Sequence, residues 1–213
     1  EKYLPDGSVV VVENIPGGGN VIGWLDIYNS EPDGYTFGMF GLPEAAIMQI
    51  GEMFDFDLRD FEWIGRAAVG IQVIVVHPDY YDKYNTAEAL RESDRFNWAH
   101  AGIGGLGGIG GLIFADKVGV DHINMVPHDG SGDALLSVIR GDSDAATFTL
   151  FSVLDYIEDG ELKALVVFND ERIPELPDTP TAAEFANLPE LDDLVSTNRS
   201  FAATPGTPDY ALE

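Results

Sequence analysis

The apolar positions of the chain fall into two alternating kinds of run. Ser8–Glu13 (SVVVVE), Tyr35–Phe40, Asp60–Ile64 and Ile71–His77 are short and rich in β-branched or aromatic residues, which predicts strands. Phe96–Ala99, His122–Val126, Asp144–Phe148 and Lys163–Phe168 read the same way. Between them lie stretches with helical spacing: Val21–Tyr28, Glu44–Met53, Ala87–Glu92 behind the cap Asn85-Thr86, and Leu150–Glu158. Further helices are predicted from the glycines after Ala99 to Val118, from Gly130-Ser131-Gly132 to Arg140-Gly141, and from the cap at Thr181. Asn14-Ile15-Pro16-Gly17-Gly18-Gly19 and Pro32-Asp33-Gly34 punctuate the early elements. Strand, helix, strand with short turns is the signature of α/β architecture with parallel sheets. No internal repeat or low-complexity linker interrupts it, and IQVIVV is long enough to pass between two lobes.

The 213 residues suit one large domain or two lobes, and 45% hydrophobic content supports a real core. Charge changes the picture more. Lys and Arg number 11 against 37 Asp and Glu, a formal net charge of −26. Nucleic acid and anionic membranes repel such a surface. A normal apolar content under so much acid predicts a salt-rich setting, where screening relieves the self-repulsion. There is no cysteine, and no run of 18 apolar residues predicts a membrane span. The opening Glu1-Lys2-Tyr3 shows no signal peptide, and Asp209–Glu213 reads as an unfinished helix. Both ends are therefore expected to be incomplete, with room for a leader or lipid anchor beyond the first residue.

Chemistry concentrates in Ala99–Phe114, AHAGIGGLGGIGGLIF, with seven glycines in sixteen residues. Glycine at this density lets the backbone turn tightly and approach another molecule. Where such a turn opens a helix, its free N–H groups attract anions. A glycine-rich helix start packed closely on a sheet is the alternative. Gly102–Gly107 also matches G-x-G-x-x-G, but Asp121 precedes its strand instead of following it, so a nucleotide or cofactor enzyme is the weaker reading. No phosphate-binding G-x-x-x-x-G-K-[ST] and no G-x-S-x-G elbow occurs. His77, His100, His122 and His128 have no zinc spacing and read as surface or loop residues. Asp129–Asp133 and Asp142 with Asp144 lack the calcium-loop pattern and read as solvated acidic turns. Asn198-Arg199-Ser200 is an isolated glycosylation sequon. No catalytic residue, metal site or cofactor is predicted.

What remains is a set of glycine or hydroxyl turns, each after a strand and before a helix. Ligands in parallel sheets bind at such carboxyl ends. The candidate ligand-binding residues are Gly41, Leu42, Pro43, His100, Ala101, Gly102, Gly104, Gly105, Gly130, Ser131 and Thr147. Almost no basic residue accompanies them in sequence, so a small anion would rest on backbone N–H groups and helix dipoles.

Seven segments in order resemble the substrate-binding proteins of tripartite tricarboxylate transporters, the Bug family of periplasmic binding proteins. They are Val11–Gly19 (VVENIPGGG), Pro32–Thr36 (PDGYT), Ala101–Gly104 (AGIG), Val126–Gly130 (VPHDG) and Asp159–Leu165 (DGELKAL). Arg172 with Leu176–Glu184 (LPDTPTAAE) and Pro205–Pro208 (PGTP) complete the set. The resemblance implies a two-lobed type II binding-protein fold, each lobe a mostly parallel sheet flanked by helices. It implies an extracytoplasmic receptor, not an enzyme, that closes on a small organic carboxylate (a di- or tricarboxylate or acidic amino acid). Membrane permease subunits would be its partners, and a monomer is expected. A sensor passing the signal to a membrane kinase is a variant of the same binding role. The chain departs from the family at His100 and Gly105, where serines flank the family's turn, at Gly108 for its histidine, and at His128-Asp129 for Tyr-Lys. Gly41-Leu42-Pro43-Glu44 replaces a loop of threonine and serine. A first strand and a glycine-rich ligand loop are expected before Glu1, and final helices beyond Glu213. Lobe one is expected to combine residues 1–70 and 167–213, lobe two residues 71–166, with Ile71–Val76 and Ala164–Phe168 as the hinge.

Overall fold

A computed structural model describes residues 7–15 and 17–212; Pro16 of the predicted break and both terminal segments lie outside the described residues. Two sheets organise them. The smaller has the order β1-β8-β2, with β1 Phe37–Leu42, β2 Glu62–Gly70 and β8 Thr197–Ala203. The larger has the order β5-β4-β6-β3-β7, with β3 Gln72–Val76, β4 Phe96–His100, β5 Ile123–Pro127, β6 Ala145–Thr149 and β7 Lys163–Phe168. This is the α/β type II architecture, with two strands reversed. β4 runs parallel to β5 and β6, whereas β3 is antiparallel to β6 and β7, and β8 is antiparallel to both its neighbours.

β3 shows why the larger sheet forms where it does. All five of its residues are buried, and alternate ones enter different cores. Ile74 and Val76 join Trp98, Phe114 and Phe168 on one face; Val73 and Val75 join Ala134, Val138 and Val153 on the other. A strand covered on both faces reads as one unbroken apolar run. The short α3 (Tyr81–Tyr84), α4 (Ala87–Arg91) and α5 (Leu106–Val118) lie on the first face; α6 (Ser131–Ile139) and α7 (Leu150–Glu158) lie on the second. Thr86 Oγ1 caps α4 by accepting from the Ala89 N–H at 3.1 Å. The smaller sheet packs α1 (Val21–Tyr28) and α2 (Glu44–Ile50) over a core of Trp24, Phe40, Met48, Phe56 and Phe61. Trp24 stacks on Phe40 with ring centroids 5.4 Å apart.

Three expectations need correction. Ser8–Glu13 is not a strand; Val9, Val11 and Val12 are exposed. A β-branched run becomes a strand only where a ladder and a covering layer receive it, and none of the described strands pairs with this one. β8 carried no strand signal, because TNRSFAA mixes polar and apolar residues without clean alternation, yet it is the central strand of the smaller sheet. The sequon residue Asn198 therefore sits in a ladder, opposite Leu42 and Val69. Finally, α8 (Ala182–Ala186) and the unforeseen α9 (Glu190–Val195) pack with the larger sheet: Ala182, Leu191 and Val195 join Phe114 and Phe168. Residues 167–195 thus pack away from the sheet to which 167–213 was assigned. Ala182, Leu191 and Val195 pack on the α5 face and Ile173 and Leu176 on the α6 and α7 face, while only β8 and the segment after it return to the smaller sheet.

The chain passes between the sheets twice, at Gly70–Gln72 and at Val195–Thr197. The two passages are tied together. The buried Gln72 amide donates to Thr149 Oγ1 at 3.1 Å and to Thr197 Oγ1 at 2.8 Å.

Candidate functional site

The parallel strands β5, β4 and β6 end side by side, and their carboxyl ends carry the polar groups. His100 closes β4, Thr147 lies near the end of β6, and His128 directly follows β5. His100 and Thr147 are both buried, which corrects the surface reading of His100. Its Nδ1 accepts the Gly102 N–H at 3.0 Å, which leaves the ring proton on Nε2. Burial pushes His100 below the usual histidine range, and the neighbouring His128 adds to the shift. The His128 N–H donates to the His100 carbonyl at 2.8 Å. Two buried polar atoms here have no hydrogen-bond partner among the described residues, His128 Nε2 and Thr147 Oγ1. Unpartnered buried polar atoms are costly, so each of the two is a candidate ligand contact.

Above these groups runs the glycine loop. Gly102 has φ 135°, a conformation that favours glycine, and Gly105 is the N-cap of α5. The close-packing alternative also holds. A Cβ on Gly108 would lie 2.6 Å from the Gly102 carbonyl, and one on Gly110 3.1 Å from Val195 Cγ1. Trp98 Nε1 donates to the Gly107 carbonyl at 2.8 Å. The glycines thus seat α5 against the sheet, and its N-cap, Gly105, offers no capping side chain.

The smaller sheet's side approaches the same loop. A Cβ on Gly104 would lie 3.2 Å from Met48 Cε and 3.4 Å from Met53 Cε; one on Gly19 would lie 3.6 Å from the Gly104 carbonyl carbon. Ile109 of α5 packs against the Trp24–Phe40 core. Gly41 and Leu42 end β1, and Pro43, joined to Leu42 by a cis peptide bond, is the N-cap of α2. The next residue, Glu44, is 8% exposed and turns back over Gly41. Its carboxylate accepts from Asn20 Nδ2 at 3.0 Å, and the Leu106 N–H, the first of α5, also favours its charged form. Burial outweighs both and holds the group above the usual glutamate range; Arg199, opposite Gly41 across the ladder, is a weaker opposing influence.

Of the predicted residues, His100, Ala101, Gly102, Gly104 and Gly105 lie on β4 and the turn into α5, Thr147 on neighbouring β6, and Gly41, Leu42 and Pro43 at the β1–α2 turn of the other sheet, where Leu42 packs into the core. Gly130 and Ser131 start α6, and nothing stands within 4 Å of a Cβ placed on Gly130, so they border open space. Sequence reasoning missed Glu44, Asn20, Met48 and His128. Glu44 had one local signal, an acid at the first helical position behind a proline. Asp144, read as part of an acidic turn, is buried and accepts from Tyr84 Oη at 3.1 Å and from the Asn97 N–H at 2.7 Å. Two hollows of about 310 and 410 Å³ lie elsewhere, lined by Phe37, Ile64 and Phe201 and by Tyr81, Ile157 and Lys163.

The family model described as "Tripartite tricarboxylate transporter family receptor", TctC, matches residues 4–213. A UPF0065 protein of Bordetella pertussis is 29% identical over 97% of the chain, which spans 64% of that protein's length. The periplasmic binding protein BugD has the same fold, with 25% identity, a TM-score of 0.77, and coverage of 97% of this chain and 69% of its own. MatC from Rhodopseudomonas palustris, solved with bound malate, shares the fold at 23% identity and a TM-score of 0.71, with 92% and 67% of the two chains covered. BugD is a periplasmic binding protein and the matching family model is that of a transporter receptor, which speaks against the nucleotide-enzyme reading. The chain belongs to the TctC family of tripartite tricarboxylate transporter receptors.

Proposed function

We propose that the chain receives a small organic carboxylate between its two sheets and hands it to the permease of a tripartite tricarboxylate-type transporter. The observation that carries the reading is two buried, unpartnered polar atoms at the carboxyl ends of β5 and β6, His128 Nε2 and Thr147 Oγ1, the second of them on the strand that meets the glycine-rich start of α5. A histidine proton donor, a hydroxyl and helix N–H groups are the means by which a protein of net charge −26 holds an anion without a cluster of cations. Residues 7–15 and 17–70 with 196–212 form one lobe and 71–195 the other, with Gln72 at the crossing. Closing the lobes removes water from the carboxylate and strengthens each N–H contact. Malate is the natural first probe, because the fold-related MatC holds it.

The test is a thermal-shift screen in high salt with malate, adipate, NAD and ATP. A carboxylate at 100 times its dissociation constant adds ~2.7 kcal/mol to stability. Stabilisation by a nucleotide and by no carboxylate would sink the reading.

A further inference from the structure

The anion site at the start of α5 already faces an anion. Glu44 crosses from the smaller sheet's side, its carboxylate clamped by the Asn20 amide and turned to the Leu106 N–H. It is not a surface acid that strayed inward. A Cβ on Gly41 would lie 2.7 Å from Glu44 Cδ, so only glycine at 41 leaves room for this rotamer. Met48, one turn further along α2, packs on Gly104 and fixes the helix against the glycine loop. Asn20, the cap of α1, has φ 81°, so its amide reaches Glu44 from a left-handed backbone, a conformation asparagine tolerates better than most residues. A solute carboxylate and the Glu44 carboxylate cannot share these amides, because two like charges a few ångströms apart in a buried site repel strongly.

We propose that Glu44 is a specificity-determining residue of the cleft: its buried carboxylate, held by Asn20 on the wall that packs against the glycine loop, opposes a solute carboxylate arriving at the start of α5. The inference rests on the carboxylate reading above. It implies that the wild-type cleft discriminates against solutes that bring only carboxylates to this wall. Glutamine at 44 keeps the shape and the Asn20 contact while removing the charge, so it opposes a solute carboxylate less.

The test is isothermal titration of malate into wild type, Glu44→Gln, Asn20→Ala and the control Glu161→Gln, at one ionic strength. Glu161 is exposed and far from the cleft elements in sequence, and its substitution removes the same charge. Glu44→Gln is expected to bind malate at least tenfold more tightly than wild type, Asn20→Ala more tightly by a smaller factor, and Glu161→Gln equally. Binding by Glu44→Gln where wild type shows none also supports the proposal. Equal binding by wild type and Glu44→Gln, or weaker binding by the variant, would overturn it and leave the carboxylate reading standing. Circular dichroism confirms that each variant is folded; if Glu44→Gln is not, a malate affinity unchanged in folded Asn20→Ala overturns it alone. Folded proteins that bind neither malate nor adipate in any version would overturn both.

Discussion

Gly111 is the position where the packing role of the glycine stretch can be measured. A Cβ there would lie 2.9 Å from Trp98 Cδ1 and closer still to Cε2 and Nε1. Carbon atoms in contact prefer about 3.5–4.0 Å, so Gly111→Ala drives the ring back by ~1 Å. The ring has nowhere to go. Trp98 is fully buried between Phe96 and Phe114, with centroids 5.9 and 6.2 Å away, and its Nε1 is committed to the Gly107 carbonyl. Overpacking of this kind costs ~1–3 kcal/mol, and weakening the hydrogen bond costs up to ~1 more. Against this stands the gain of ~1 kcal/mol for alanine over glycine in a helix. The net expectation is a loss of up to ~3 kcal/mol, or up to ~12 °C in melting temperature for a chain of this size. Gly132 in α6 is the counterpart: nothing lies within 4 Å of a methyl placed there, so Gly132→Ala should stabilise by ~0.4–1 kcal/mol. Calorimetric melts of the two variants beside wild type make the assay. A Gly111→Ala protein that melts at or above wild type would refute the argument.

Glu44 is held above its ordinary range by burial, so its ionised form opposes folding; the stability it contributes is present below the unfolded value of about 4.3 and is lost as pH rises through the folded one. Glu44→Gln should therefore melt higher than wild type at pH 8 and show no advantage at pH 3.5–4, and a pH-independent difference between the two would contradict this. Asp144→Ala leaves Tyr84 Oη and the Asn97 N–H without their buried acceptor, for a loss of ~2–4 kcal/mol read by urea denaturation; a loss under ~1 kcal/mol would show that water replaces the carboxylate. If the charge of −26 marks a salt-rich setting, stability rises between ~0.1 M and molar salt, whereas a flat salt titration rejects that reading.

How legible each element was in the sequence depends on how it is buried. α1, α7 and β7 have the residue ranges their patterns predicted, because each draws on a local signal: a helical stripe bounded by turns, or an apolar run sealed on both faces. β8 and Ser8–Glu13 fail in opposite directions for one reason. Strand formation depends on the neighbour that supplies the ladder, so a polar-looking TNRSFAA pairs between β1 and β2 while SVVVVE, with stronger β propensity, pairs with no described strand. The site divides the same way. Glycines after strands are visible as punctuation, but the burial of His100 and Thr147 depends on α5 lying over the strand ends, which no local pattern records.

Glu44 was the least legible residue, since in a chain with 37 acids one more behind a proline carries no weight. Its meaning comes only from the wall it faces. The same glycines that let α5 sit against Trp98 also bring the Leu106 N–H within reach of the opposite side. An empty amide site there would attract any anion, while the acidic surface would repel most of them before arrival. A carboxylate of the chain itself, buried on the facing wall and held by Asn20, opposes such an anion at the cost of one poorly solvated charge. On the proposed reading that carboxylate sets a threshold for an incoming anion, and a solute that also reaches Thr147 Oγ1 or His128 Nε2 is the kind expected to exceed it.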